Sequence, residues 1–137
     1  MIERILLVIV LFVVGRLVYG VYTKRKIAQI STLASADPVL TGLKSGVATV
    51  VYFTSVSCAP CNAVVTPALE RLQNEFQDRV QIVKIDAVEN QNDAQRWGVI
   101  SIPTMFILNK RNDAIQINHG VVNEETLRAQ ILTAQTS

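Results

Sequence analysis

The sequence predicts an α/β protein with a central mixed β-sheet flanked by helices, preceded by one N-terminal transmembrane helix. Three observations lead there. Residues 5–22 form an 18-residue apolar run broken by one charge, Arg16, and by two glycines. Beyond residue 36, β-branched runs alternate with apolar stripes at spacings of three and four. Their order is strand, helix, strand, as in a parallel crossover, followed by two strands around a polar turn.

The apolar run comes first. As a helix it spans about 27 Å, against a bilayer core of about 30 Å. Arg16 costs ~3 kcal/mol near a helix centre, but the run's 13 Ile, Leu, Val and Phe residues each return ~0.3–0.6 kcal/mol. Arg16 also lies in the second half of the run, where its stem lets the charge snorkel to the interface. Ala34, Ser35 and Ala36 have the small-residue pattern of a signal-peptide cleavage site. Lys24, Arg25 and Lys26 separate them from the run, however, and the leading segment is barely basic. An uncleaved anchor is therefore expected. Residues 1–26 are the anchor with its basic flank, 27–35 a linker, and 36–137 a single small domain.

Charge divides the same way. The net charge is +2, yet residues 1–26 carry five basic residues and one acidic, while residues 27–137 carry eight basic and ten acidic. The basic character belongs to the membrane flank, and a nucleic-acid partner is not expected.

Within the domain, residues 34–46 (ASADPVLTGLKSG) read as a short helix started at Asp37-Pro38 and stopped by Gly46. Residues 48–54 (ATVVYFT) form the continuous β-branched and aromatic run of a strand buried on both faces. Val65, Leu69, Leu72 and Phe76 then make the stripe of an amphipathic helix. Residues 80–86 (VQIVKID) are a strand, and residues 90–98 a short polar helix closed by Gly98. Residues 104–109 and 114–118 are hairpin strands joined through KRND, with Lys110 and Arg111 in a solvated turn. Asn123 caps a last helix carrying Leu127 and Ile131.

Both cysteines of the chain, Cys58 and Cys61, fall between the first strand and the helix after it. Zinc wants four ligands, and beside this pair the chain offers one histidine, His119, read as a loop or edge residue; no metal is expected. A purely structural disulfide is a weak alternative, because so short a spacing closes almost no loop entropy. A Cys-x-x-Cys beside a strand–helix–strand unit reads as a redox pair. The unpaired N–H groups of the helix start favour a thiolate at Cys58, and Pro60 suits a first turn that needs no N–H.

Here the sequence resembles the thioredoxin-like superfamily. CAPC matches its Cys-x-Pro-Cys site. Residues 97–108 (WGVISIPTMFIL) resemble the segment that bears a cis-proline before the hairpin, and Gly120 matches the glycine after it. The resemblance covers residues 37–134. It implies a thioredoxin-like fold with Cys58 as the attacking thiolate and Cys61 as the buried resolving thiol. Ala59 and Pro60 would support the pair. Pro103, if cis, would stand against the pair and exclude metal, and the backbone of Ile102 would pair with an extended substrate.

Departures from the family pattern bear on rate, potential and partner. Ser57 stands where a tryptophan is frequent, and Ala59 where a glycine is usual. Tyr52, six residues before Cys58, takes the place of a buried aspartate that assists proton transfer. Ile82 is read as replacing that aspartate's lysine partner, turning an ion pair into apolar packing. Pro67 lies one residue further from the cysteines than the family's helix-kinking proline. Trp97 is read as core packing near the site.

The expectation is a membrane-tethered thiol–disulfide oxidoreductase that reduces protein disulfides as a monomer. It needs no organic cofactor, because the cysteines carry the electrons, but it does need an electron donor. The alternatives are an extracytoplasmic oxidase or isomerase, and a non-catalytic module using the surface around Pro103 to hold a membrane partner. Lys24, Arg25 and Lys26 after the span favour a cytoplasmic domain by the positive-inside bias.

Overall fold

α1, Ile2–Ala34, is one continuous 33-residue helix in the computed structural model, which describes residues 2–34 and 37–137. Ser35 and Ala36, shared by the cleavage-site pattern and the expected helix over 34–46, lie outside the described residues. Residues 2–30 form a helix of mean hydropathy 2.5 in its most apolar window, long and apolar enough to cross a membrane. A signal sequence has the same profile. Residues 27–34, expected within a linker, continue the helix, and Ile30 is buried against the domain.

Where a short helix was expected over 34–46, a single 3-10 turn forms, Pro38–Leu40. Asp37 caps it by accepting from the Val39 N–H at 2.9 Å. Gly42 then takes φ +83°, a conformation that ends a helix and favours glycine.

Four strands make one sheet in the order β2-β1-β3-β4. β1 (Ala48–Thr54) runs parallel to β2 (Val80–Asp86) and antiparallel to β3 (Thr104–Leu108), which pairs antiparallel with β4 (Ala114–His119). The crossover between the parallel strands carries α2, Thr66–Phe76. α3 is Gln91–Arg96 and α4 is Glu124–Thr136. Asn123 caps α4 as expected, accepting from the Thr126 N–H at 2.8 Å.

The period of two along β1 builds two cores. Ala48, Val50 and Tyr52 face Leu69, Leu72 and Phe76 of α2 and Leu127 and Ile131 of α4. Val51 and Phe53 face the opposite way, toward Ile85, Ala94, Trp97, Phe106 and Ile30. Trp97 is core, as read: its ring sits 6.0 Å from that of Phe53 and 5.0 Å from that of Phe106. Such pairs contribute about 0.5–1.5 kcal/mol each beyond area burial.

A π turn, Cys61–Val65, leads into α2, with the Thr66 N–H donating to the Cys61 carbonyl five residues back. Such a turn holds one more residue than the α-helical turn it replaces. That extra residue is the one by which Pro67 is displaced, and the widened turn absorbs it without shifting the stripe of Val65, Leu69, Leu72 and Phe76, all buried.

Candidate redox site

The site lies where β1 ends and the following helix begins. Ser55 folds the loop: its carbonyl accepts from the Cys58 N–H at 3.1 Å and its hydroxyl from the Ser57 N–H at 3.2 Å. Asn62 reaches back from the helix, donating through Nδ2 to the Val56 carbonyl at 3.0 Å. Asp86, at the end of β2, receives the Val56 N–H on Oδ2 at 3.2 Å and the Val88 and Glu89 N–H groups on Oδ1 at 2.8 and 3.2 Å. Those backbone donors, Glu89 first and then Val88, hold the Asp86 carboxyl below its usual range. The loop is thus pinned from both flanking elements. Sequence reasoning missed Ser55, Asn62 and Asp86. An aspartate closing a strand before a loop is an Asx-turn signal that would have flagged Asp86.

Cys58 and Cys61 are joined, S–S 2.02 Å, with Cα atoms 5.2 Å apart. The two differ in access: Cys58 retains 9% of its surface and Cys61 none. The Cys61 N–H points at Cys58 Sγ across 3.3 Å, and the Asn62 N–H bonds the Cys58 carbonyl at 3.1 Å. A sulfur facing helix-start N–H groups is the one whose anion they stabilise on reduction. Ala59 and Pro60, between the cysteines, are exposed.

The Ile102–Pro103 peptide is cis. Pro103 is buried, its carbonyl accepting from the Gly120 N–H at 2.8 Å, which ties the matching glycine to the proline. Thr104 Oγ1 donates to the Ser101 carbonyl at 2.6 Å and steadies the turn before Pro103. Ile102, half-buried, packs against the cluster that holds both cysteines. Val56 and Ile100 are 86% and 84% exposed, an apolar surface on the loops to either side. His119, exposed at the end of β4, lines a separate cleft with residues of α1.

Tyr52 belongs to the same cluster as the cysteines and is 1% exposed. Its hydroxyl lies 3.5 Å from Thr66 Oγ1, at the limit of hydrogen bonding. One expectation is corrected. Ile82 pairs with Val50 in the sheet, whereas the residue opposite Tyr52 is Lys84. Strand side chains point the same way only at every second position, so Lys84 and Ile82 share the face of Tyr52, with Lys84 directly beside it. A lysine is therefore retained there. Tyr52, Thr66, Glu70, Gln73, Ile82 and Lys84 line an open cleft of about 410 Å³.

Comparison with known proteins gives a consistent answer. The thioredoxin family model matches residues 40–133. A thioredoxin of Bacillus subtilis is 41% identical over 71 residues, 52% of this chain and 66% of that protein. A thioredoxin of Synechocystis sp. is 30% identical over 103 residues, 75% of this chain and 92% of its own length. Among solved structures, a mutant thioredoxin from Halobacterium salinarum matches with TM-score 0.58 and 26% identity, over 64% of this chain and 74% of that one. A malaria parasite thioredoxin-2, described as a component of protein secretion machinery, matches with TM-score 0.62 and 25% identity, over 69% and 90%. Residues 1–39 lie outside the family match.

Proposed function

The chain belongs to the thioredoxin family, its joined Cys58–Cys61 pair marks it as a thiol–disulfide oxidoreductase, and on that premise we propose that it reduces protein disulfides at a membrane surface. The observation that carries the reading is the asymmetry of the pair. Cys58 reaches the surface and faces the Cys61 N–H, while Cys61 is wholly buried one helical turn on.

With the pair reduced, the Cys58 thiolate attacks a target disulfide. One sulfur of the target joins Cys58 and the other leaves as a thiolate that takes a proton. Cys61 then loses its proton and attacks Cys58 Sγ, forming the intramolecular disulfide and releasing the second target thiol. The pair has given up two electrons, and a dithiol donor must return them. One chain holds both cysteines, so a monomer suffices. Ile102, before the cis-proline, offers its backbone to an extended substrate, and the exposed Val56 and Ile100 favour an apolar segment around the target disulfide. Residues 1–26 anchor the protein, residues 36–137 carry the catalytic domain, and Lys24, Arg25 and Lys26 keep that domain on the cytoplasmic side.

Variants of the two cysteines test this. Cys61→Ser accumulates mixed disulfides on non-reducing gels, whereas Cys58→Ser traps few and loses reductase activity on a model disulfide. Equal trapping by both variants refutes the roles. The reduction potential decides the direction: about −270 mV fits a reductant and about −120 mV an oxidant.

A further inference from the structure

We infer that α1 is a rigid strut, docked on the domain through residues 26–30, that holds the Cys58 face at a fixed short height over the bilayer and so selects disulfides of membrane-held proteins. The inference rests on the anchor reading above. The helix does not end where its apolar run ends. It continues past Tyr22 through Lys24, Arg25 and Lys26 without a break, to Ala34. Ile30 is 8% exposed and shares a cluster with Trp97, Phe106 and Ala114, with Ile27 packed against it. A narrow cleft of about 120 Å³ separates Lys26, Gln29 and Ile30 of the helix from Trp97, Ile117 and His119 of the domain. The chain is fixed again just after the helix, where the Asp37 carboxylate meets the Arg96 guanidinium through two contacts of 3.2 Å. A helix held by packing and by an ion pair at its exit does not swing as a flexible linker does.

The docking site lies at the catalytic end of the sheet. His119 stands opposite Thr104, the residue after Pro103, and Phe53 of β1 pairs with the same Thr104. From β4 across β3 to β1 is two strand spacings, about 10 Å. From Tyr22 to Ile30 is eight helical rises, about 12 Å. The docked helix therefore ties the catalytic end of the sheet, and the disulfide beyond it, to a set position relative to the end of the apolar run. A flexible segment of nine residues, as residues 27–35 would be, adds about 30 Å of reach in any direction. The docked helix removes that freedom. Its partner is a protein that presents a disulfide close to the bilayer.

The test uses the full chain in lipid vesicles and a quenched disulfide peptide linked to lipid headgroups through polyproline spacers of 6 or 18 residues, about 19 and 56 Å long. The parent should reduce the short-spacer peptide at least about tenfold faster than the long-spacer one, from effective concentration alone. A 15-residue Gly/Ser joint inserted between Thr23 and Lys24 leaves the docking intact but frees the height, and should bring that ratio near one. Ile30→Ser, which loosens the docking, should lower it part of the way. Both variants should reduce the free peptide at the parent's rate. A joint variant with the parent's ratio overturns the strut. Release of the parent from vesicles by alkaline carbonate overturns the anchor reading and the strut with it.

Discussion

Replacing Tyr52 by aspartate tests the proton accounting of the resolving step. Cys61 must lose a proton before it attacks, and it is fully buried in the cluster it shares with Tyr52. A thiol of ordinary pKa ~8.5 is about 3% thiolate at pH 7, so a well-placed base gains up to about 30-fold in rate. A phenol, which titrates near 10 in water, is a poor base at that pH. The parent's mixed-disulfide decay should therefore rise about tenfold per pH unit from 7 toward 8.5. Tyr52→Asp should flatten that slope and speed decay at pH 7 by about tenfold, short of the ceiling. The variant also loses stability. Deleting a buried aromatic costs about 3–5 kcal/mol, and Lys84, directly opposite in the sheet, supplies a counter-charge that keeps the cost toward the lower figure. Tyr52→Phe gives up only the 3.5 Å contact to Thr66 and should decay as the parent does. Stopped-flow mixing of the reduced protein with a fluorogenic disulfide reads the decay, and circular dichroism verifies folding. A folded Tyr52→Asp protein that decays no faster than the parent, or a parent rate that is flat with pH, refutes the missing-base argument.

Four further outcomes are expected. Arg96→Gln should lower the midpoint of urea melts, because it leaves the Asp37 carboxylate, 3% exposed, without its guanidinium partner; the loss is smaller than for a fully buried pair, since Arg96 keeps 40% of its side chain exposed. Burial opposes ionisation of Asp37, yet Arg96 and the Val39 N–H outweigh it and lower its pKa; Asp86 is lowered by its backbone donors. Both contributions are thus full above about pH 4, the unfolded-state value, and are lost as pH falls through the lower folded values, so Asp86→Asn should weaken the acid dependence of stability below pH 4. Asp86→Asn should also loosen residues 55–57, read as faster amide exchange at Val56. In intact cells a membrane-impermeant thiol reagent added after mild reduction should leave Cys58 unlabelled, and labelling would place the domain outside the cytoplasm.

The sequence by itself determined what short-range physics controls. The strands over 48–54 and 80–86, the stripe from Val65 to Phe76 and the Asn123 cap depend on side chains a few positions apart, and all formed as read. The cysteine pair was legible for the same reason, since its chemistry sits within a few residues, whereas the proline at position 103 was legible through the family resemblance of residues 97–108. Only the tertiary structure decided the rest. Lys84, not Ile82, stands beside Tyr52 because strand register is set by pairing across the sheet, and an error of two positions keeps the same face and leaves the apolar pattern unchanged. Residues 38–40 stop at one 3-10 turn because Thr41 is already extended and Gly42 follows at positive φ, overriding a start signal that promised more helix. The π turn at Cys61–Val65 reconciles a displaced Pro67 with an undisturbed apolar stripe, a compromise between backbone and core that neither shows alone. Asp86 reaches 30 positions back to the Val56 N–H, and α1 lays Ile30 against Trp97 and Phe106. Such contacts join residues far apart in the chain, and their free energy exists only once the sheet has brought the partners together.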